Sequence, residues 1–141
     1  MTLKKINTVL AAAFILFILW FGTEFILIPE TTAPTFGLPS YPSGDGGGFL
    51  VIKGIRDVVL ALVLGVLLLT GHRRALGWAL LVEAFAAYGD MTTVLAHHGS
   101  VATALGVHAL TATAMVATGL LFLRETRKVA TAPDALAPQP A

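Results

Sequence analysis

A chain of 141 residues that is 56% hydrophobic and only 12% charged, with a mean hydropathy of +0.83, is too apolar for a soluble globular domain. Its net charge of +1 gives no general attraction to nucleic acid. The lack of cysteine excludes disulfides, thiolate catalysis and thiolate-held metals. The class that remains is an integral, multi-pass membrane protein, located in the cytoplasmic membrane if bacterial. We read it as one membrane domain over 1–128 followed by a tail over 129–141.

Lys4 and Lys5 precede an apolar run that predicts a first span over 6–28, long enough for the roughly 20 helical residues that a hydrocarbon core requires. A secretory signal is the competing reading, with Thr31-Thr32-Ala33 as a tolerable cleavage site. The run exceeds the roughly 7–15 apolar residues of a signal core, however, and Glu24 would be out of place in one. Residues 29–48 hold four prolines and a glycine run, so neither a helix nor a central strand is expected to persist through them. The Phe36-Gly37-Leu38-Pro39 segment and Tyr41 are apolar enough to fold back over the helices.

A second span is predicted over 49–70. It opens with Lys53-Gly54-Ile55-Arg56-Asp57 and closes in a stretch that is apolar on every face. After Gly71-His72-Arg73-Arg74, a third span over 75–96 carries Glu83, Tyr88 and Asp90. After His97-His98-Gly99-Ser100, a fourth over 101–123 carries His108. The tail that follows is Ala/Pro-rich and expected to be disordered. Lys4, Lys5, Arg73, Arg74, Arg124, Arg127 and Lys128 would all fall on one face, so both termini are expected to be cytoplasmic. The fold class is therefore all-α: a four-helix transmembrane bundle, up-down-up-down, with small-residue rows at Ala75, Ala79 and Ala87 and at Ala109, Thr113 and Ala117 allowing close packing.

Charged groups at membrane depth are costly and are usually kept for ligand sites, relays or interhelical pairing. With a rise of 1.5 Å per residue, Glu24, Lys53, Arg56, Asp57, Asp90 and His108 are placed roughly 6–12 Å below the external surface. Lys53 and Asp57, four apart, can pair on one face. Arg56 points about 100° away from Asp57, which makes Asp90 its expected partner. Glu83, Asp90 and His97 recur every seven residues and outline one polar face of the third span.

The functional reading is a small-molecule site in the external half. Asp90 and His108 would exchange a proton there, and Arg56, Asp57, Lys53 and Glu24 would hold a lipophilic ligand that enters from the bilayer. The alternative is a non-catalytic module whose charges are structural and which assembles with a second copy or a membrane partner. Lys53 and Glu24 also lie near enough to the interface to snorkel, and His108 could be a packing residue. His97 and His98, being adjacent, point apart and lack metal-ligand spacing, so neither a metal nor a cofactor is expected.

Phe36-Gly37-Leu38-Pro39, the KGIRDVVLALVL stretch from Lys53, the RRALGWALL stretch from Arg73, Asp90, then His98-Gly99 and His108 together resemble an uncharacterised DUF-type family of small four-span membrane proteins, over about residues 10–123. The resemblance implies a fold and a signature rather than a reaction. A looser likeness, in topology and in a GxxR-like element, is to DoxX-type four-span proteins.

Overall fold

The computed structural model describes residues 2–130, the side chains of 128–130 excepted. Helix α1 (Leu3–Leu27) starts at Thr2, whose hydroxyl accepts from the Lys5 amide, a side-chain cap for an otherwise unpaired donor. Its end passes directly into a short helix α2 (Pro29–Thr32) and a 3-10 turn (Ala33–Phe36). A second 3-10 turn (Gly44–Gly47) leads into α3 (Gly48–Leu69). Helix α4 (Arg73–Ala96) follows, then α5 (Val101–Thr103), a π-helical segment (Ala104–Ala109) and α6 (Leu110–Ala130). No strand occurs among the described residues.

The helices sit within a few residues of the predicted spans. No helix persists through 29–48, as expected, but the segment contains short helical turns, with Pro29 and Pro34 at first-turn positions, where a missing N–H costs nothing. Beyond the fourth predicted span, which ends at 123, the helix continues through the basic residues to Ala130. The tail expected to be disordered otherwise lies outside the described residues.

By length and composition, three helical stretches can cross a membrane: Leu3–Leu27, Arg73–Ala96 and Val101–Arg127. Large apolar side chains such as Leu16, Val82, Phe85 and Leu110 are more than half exposed, a surface that suits lipid rather than water. Threonines inside these helices are satisfied locally: the hydroxyls of Thr23, Thr113 and Thr118 each donate to the carbonyl four residues earlier.

Two tight antiparallel pairs build the molecule. Helix α1 lies on α3 with Gly22 against Gly54 and Ile15 against Gly65; α4 lies on α6 with Gly77 against Gly119. At Gly22 with Gly54 and at Gly77 with Gly119 the missing side chain lets the partner backbone come close: an added Cβ would stand 2.6–3.0 Å from the facing carbonyl oxygen. The pairs meet along a seam whose lower part is a dry cluster of Ala11, Leu64, Leu76, Leu80, Ala84, Met115 and Phe122. Its upper part is polar.

Candidate functional site

Helical spacing brings the polar layer together. On α3, Lys53, Asp57 and Leu60 share one face; on α4, Glu83, Ala86, Ala87 and Asp90 do the same. With Phe17 and Phe21 of α1, Phe36 of the loop, and His108, Thr111 and Met115 beyond it, they line a cavity of about 110 Å³ at the seam. Met115 also belongs to the dry cluster, so the cavity has an apolar floor.

Lys53 is held tightly. Its ammonium lies 2.6 Å from Asp57 Oδ2, as the four-residue spacing predicts. It also stands 4.6, 5.0 and 5.4 Å from the ring centroids of Phe25, Phe36 and Phe21. Three aromatic faces around one cation offset part of its desolvation. The box exists because the loop folds back: Phe36 meets Phe25 edge-on, and Gly37, at φ +96°, turns its carbonyl to accept from the Ser100 amide at 2.8 Å. A side chain at Gly37 would collide with Thr103.

His108 is buried in the π-helical segment, a local widening often found at functional positions. Its Nε2 is 2.9 Å from the Phe36 carbonyl oxygen, and the two rings lie 4.6 Å apart. A carbonyl only accepts, so Nε2 carries the hydrogen and donates. In the neutral imidazole Nδ1 then keeps its lone pair. Asp90 lies within electrostatic reach of Lys53, His108 and Asp57. Glu83 lines the same cavity, and its Oε2 is buried with no hydrogen-bond partner.

Asp90, His108, Lys53 and Asp57 are thus brought together, while Glu24 and Arg56 are not. Glu24 is half-buried beside Phe25 and lines no part of the cavity; α1 contributes phenylalanines instead. Arg56 is exposed and makes no ion pair with Asp90. It shares the outward face of Ile52, Ile55 and Val59, because the 100° step that separates it from Asp57 turns it away from the seam. His97 also leaves the polar face. It caps α4 outside the cavity, exposed, with Nδ1 3.0 Å from the Thr93 carbonyl oxygen. Among the described residues no group of three His, Asp or Glu is placed to hold a metal ion.

A second polar cluster, at the opposite end of the seam, is absent from the expectations drawn from sequence. Arg73 Nε and Nη2 donate to the two carboxylate oxygens of Glu125 at 2.6 and 2.9 Å. Its other donations go to Thr8 Oγ1 and the Lys4 carbonyl, both at 3.2 Å. The Asn7 amide donates to Glu125 at 2.7 Å, and the guanidinium stacks 4.6 Å over the Phe122 ring. The available signal was a single buried-type asparagine facing the end of a helix rich in charge.

The family model described as Domain of unknown function (DUF4267) matches residues 15–122. No curated protein and no solved structure matches the chain.

Proposed function

We propose that this chain, which belongs to the DUF4267 family, crosses the membrane four times and uses the cavity at its seam to hold the polar head of a small lipophilic molecule, with Asp90 and His108 handling its proton. Helix α3 is the fourth crossing. Its charges all fall in its first half, and Ile52, Ile55, Val59, Leu62, Val66 and Leu69 form an exposed apolar stripe along it that faces lipid. Both termini are cytoplasmic on this reading, since the basic residues gather at their end. The likeness to DoxX-type proteins stays at the level of this four-crossing plan.

The observation that carries the reading is one cavity in which Asp57, Glu83, Asp90, Lys53 and His108 face aromatic walls. Lys53 and Asp57 neutralise one another. That leaves Asp90, Glu83 and the His108 Nδ1 lone pair to meet a ligand. At about 110 Å³ the space suits a head of a few heavy atoms, being smaller than the roughly 150 Å³ cavities that admit benzene. The apolar floor favours a blind binding site over a proton path, because Leu64, Leu76, Leu80 and Phe122 block the way to the other end.

The test is to purify the full chain from native membrane in mild detergent and extract bound small molecules for mass spectrometry, in parallel with Asp90→Asn and His108→Ala. One species should be enriched on the parent and fall by roughly 10-fold or more on each variant, as expected for loss of a hydrogen bond to a charged or buried group. Identical extracts from three folded proteins would refute the site.

A second, non-catalytic reading is favoured by one fact: the Lys53 ammonium is already committed to Asp57 and three rings. On that reading the charges fix packing, and the exposed Arg56 stripe meets a second copy or a membrane partner.

A further inference from the structure

Three candidate spans end at one face of the molecule, at Leu3, Arg73 and Arg127. A cavity of about 780 Å³ opens there, within the size range of small-molecule sites and several times larger than the seam cavity. Its walls come from the start of α1, the α3–α4 turn, the start of α4 and the end of α6. Five of its side chains are ionisable: Lys4, His72, Arg73, Arg74 and Glu125. Arg73 and Glu125 are spent on one another. Lys4 gives only its backbone carbonyl to Arg73, and its side chain is exposed. Arg74 is exposed and forms no ion pair among the described residues. His72 shares one ring nitrogen with Thr70. Lys4 lies within electrostatic reach of Glu125, whose charge Arg73 already meets directly. Neither the Lys4 nor the Arg74 side chain forms a direct ion pair among the described residues, so the cavity carries a surplus of positive charge.

Trp78 supplies a different kind of wall. It is 54% exposed, lies one turn into α4, and its indole N–H has no hydrogen-bond partner among the described residues. An amphipathic ring at the end of a span sits at headgroup level, apolar toward the acyl chains and donating toward the phosphates. Cations, an open N–H donor and an aromatic plate at membrane-boundary depth match one class of ligand. We propose that this cavity binds the headgroup of an anionic phospholipid, its phosphate between Lys4 and Arg74 and its glycerol against Trp78. Basic pockets between spans at this level recognise such headgroups through charge and donors together. The same phosphate chemistry could come from a free anion; the membrane-boundary position and Trp78 commit the site to lipid.

The sequence has two tryptophans, so Trp20→Phe leaves Trp78 as the single indole reporter in the full chain. The protein in neutral detergent is titrated with short-chain phosphatidylglycerol, short-chain phosphatidylcholine or inorganic phosphate while its emission is followed. Phosphatidylglycerol is expected to give a saturable change at a midpoint at least 10-fold below that of phosphatidylcholine, with none from phosphate. Adding Lys4→Gln and Arg74→Gln should raise the phosphatidylglycerol midpoint by about 30-fold, near 5-fold for each cation lost, and remove the preference. Neither side chain takes part in the Arg73–Glu125 contact. Equal midpoints for the two lipids in the Trp20→Phe reporter protein would overturn the proposal, and this arm needs neither cation variant to fold. A saturable response to phosphate alone at the phosphatidylglycerol midpoint would make it a free-anion site. An unchanged preference in the double variant would show that these cations do not form it.

Discussion

Replacing Glu125 with leucine is expected to destabilise the protein by about 3 kcal/mol, the usual scale for removing one partner of a desolvated ion pair. Arg73 and Glu125 retain only 15% and 12% side-chain exposure, and their contact is a two-point, charge-assisted fork. Without the carboxylate, the guanidinium keeps the Phe122 ring but only two hydrogen bonds, to Thr8 and to a backbone carbonyl. The amide of Asn7, which is fully buried, loses its acceptor as well. The fork also joins α1, α4 and α6, so its loss loosens one helix pair against the other. Glu125→Gln, which keeps an acceptor oxygen, should cost less than half as much. Arg73→Met with Glu125→Leu should recover most of the loss, because both charges then leave together. Unfolding titrations in mixed detergent micelles, followed by helical ellipticity, measure all three. A double variant no more stable than Glu125→Leu alone would show that the contact is not a coupled pair.

What could be read from the chain depended on whether a property lies along a helix or around it. The helices are visible as apolar runs, and the Lys53–Asp57 pair follows from a spacing within one helix. Position along a helix is also one-dimensional, and Asp90, His108 and the α3 pair, grouped on that basis, line one cavity. Azimuth is another matter. Glu24 and Arg56 are expected at the same depth, yet only packing decides which side of each helix faces the seam, and both miss the cavity. The π-helical segment changes the turn angle just before and at His108, and no feature of its local sequence announces it. Glu125 reads as part of a solvated basic end because its partner is 52 residues away.

Gly54→Ala is expected to destabilise the fold by about 2 kcal/mol, and Gly89→Ala to stabilise it by roughly 0.5–1 kcal/mol, although both are glycines inside apolar helices. Alanine in a helix interior is ordinarily favoured over glycine, so a loss at Gly54 must come from packing. A Cβ there would stand 2.6 Å from the Gly22 carbonyl oxygen and 2.9 Å from the Phe25 Cβ. Neither group can yield by rotating a flexible chain, so α3 must move away from α1. At Gly89 nothing lies within 4 Å of the added carbon. Gly77→Ala supplies the decisive comparison. Its Cβ would meet the Gly119 carbonyl oxygen at 3.0 Å, a cost of similar kind paid in the other helix pair. The two should differ in what else they disturb. Moving α3 outward withdraws Lys53 from the rings of Phe21 and Phe25 and carries Asp57 away from the cavity, whereas the Gly77 contact sits below the dry cluster's Leu80 on α4. Gly54→Ala should therefore lose both stability and the bound species sought by mass spectrometry, and Gly77→Ala stability alone. A Gly54→Ala protein as stable as the parent would mean that the α1–α3 contact is looser than the backbone approach of Gly22 and Gly54 requires.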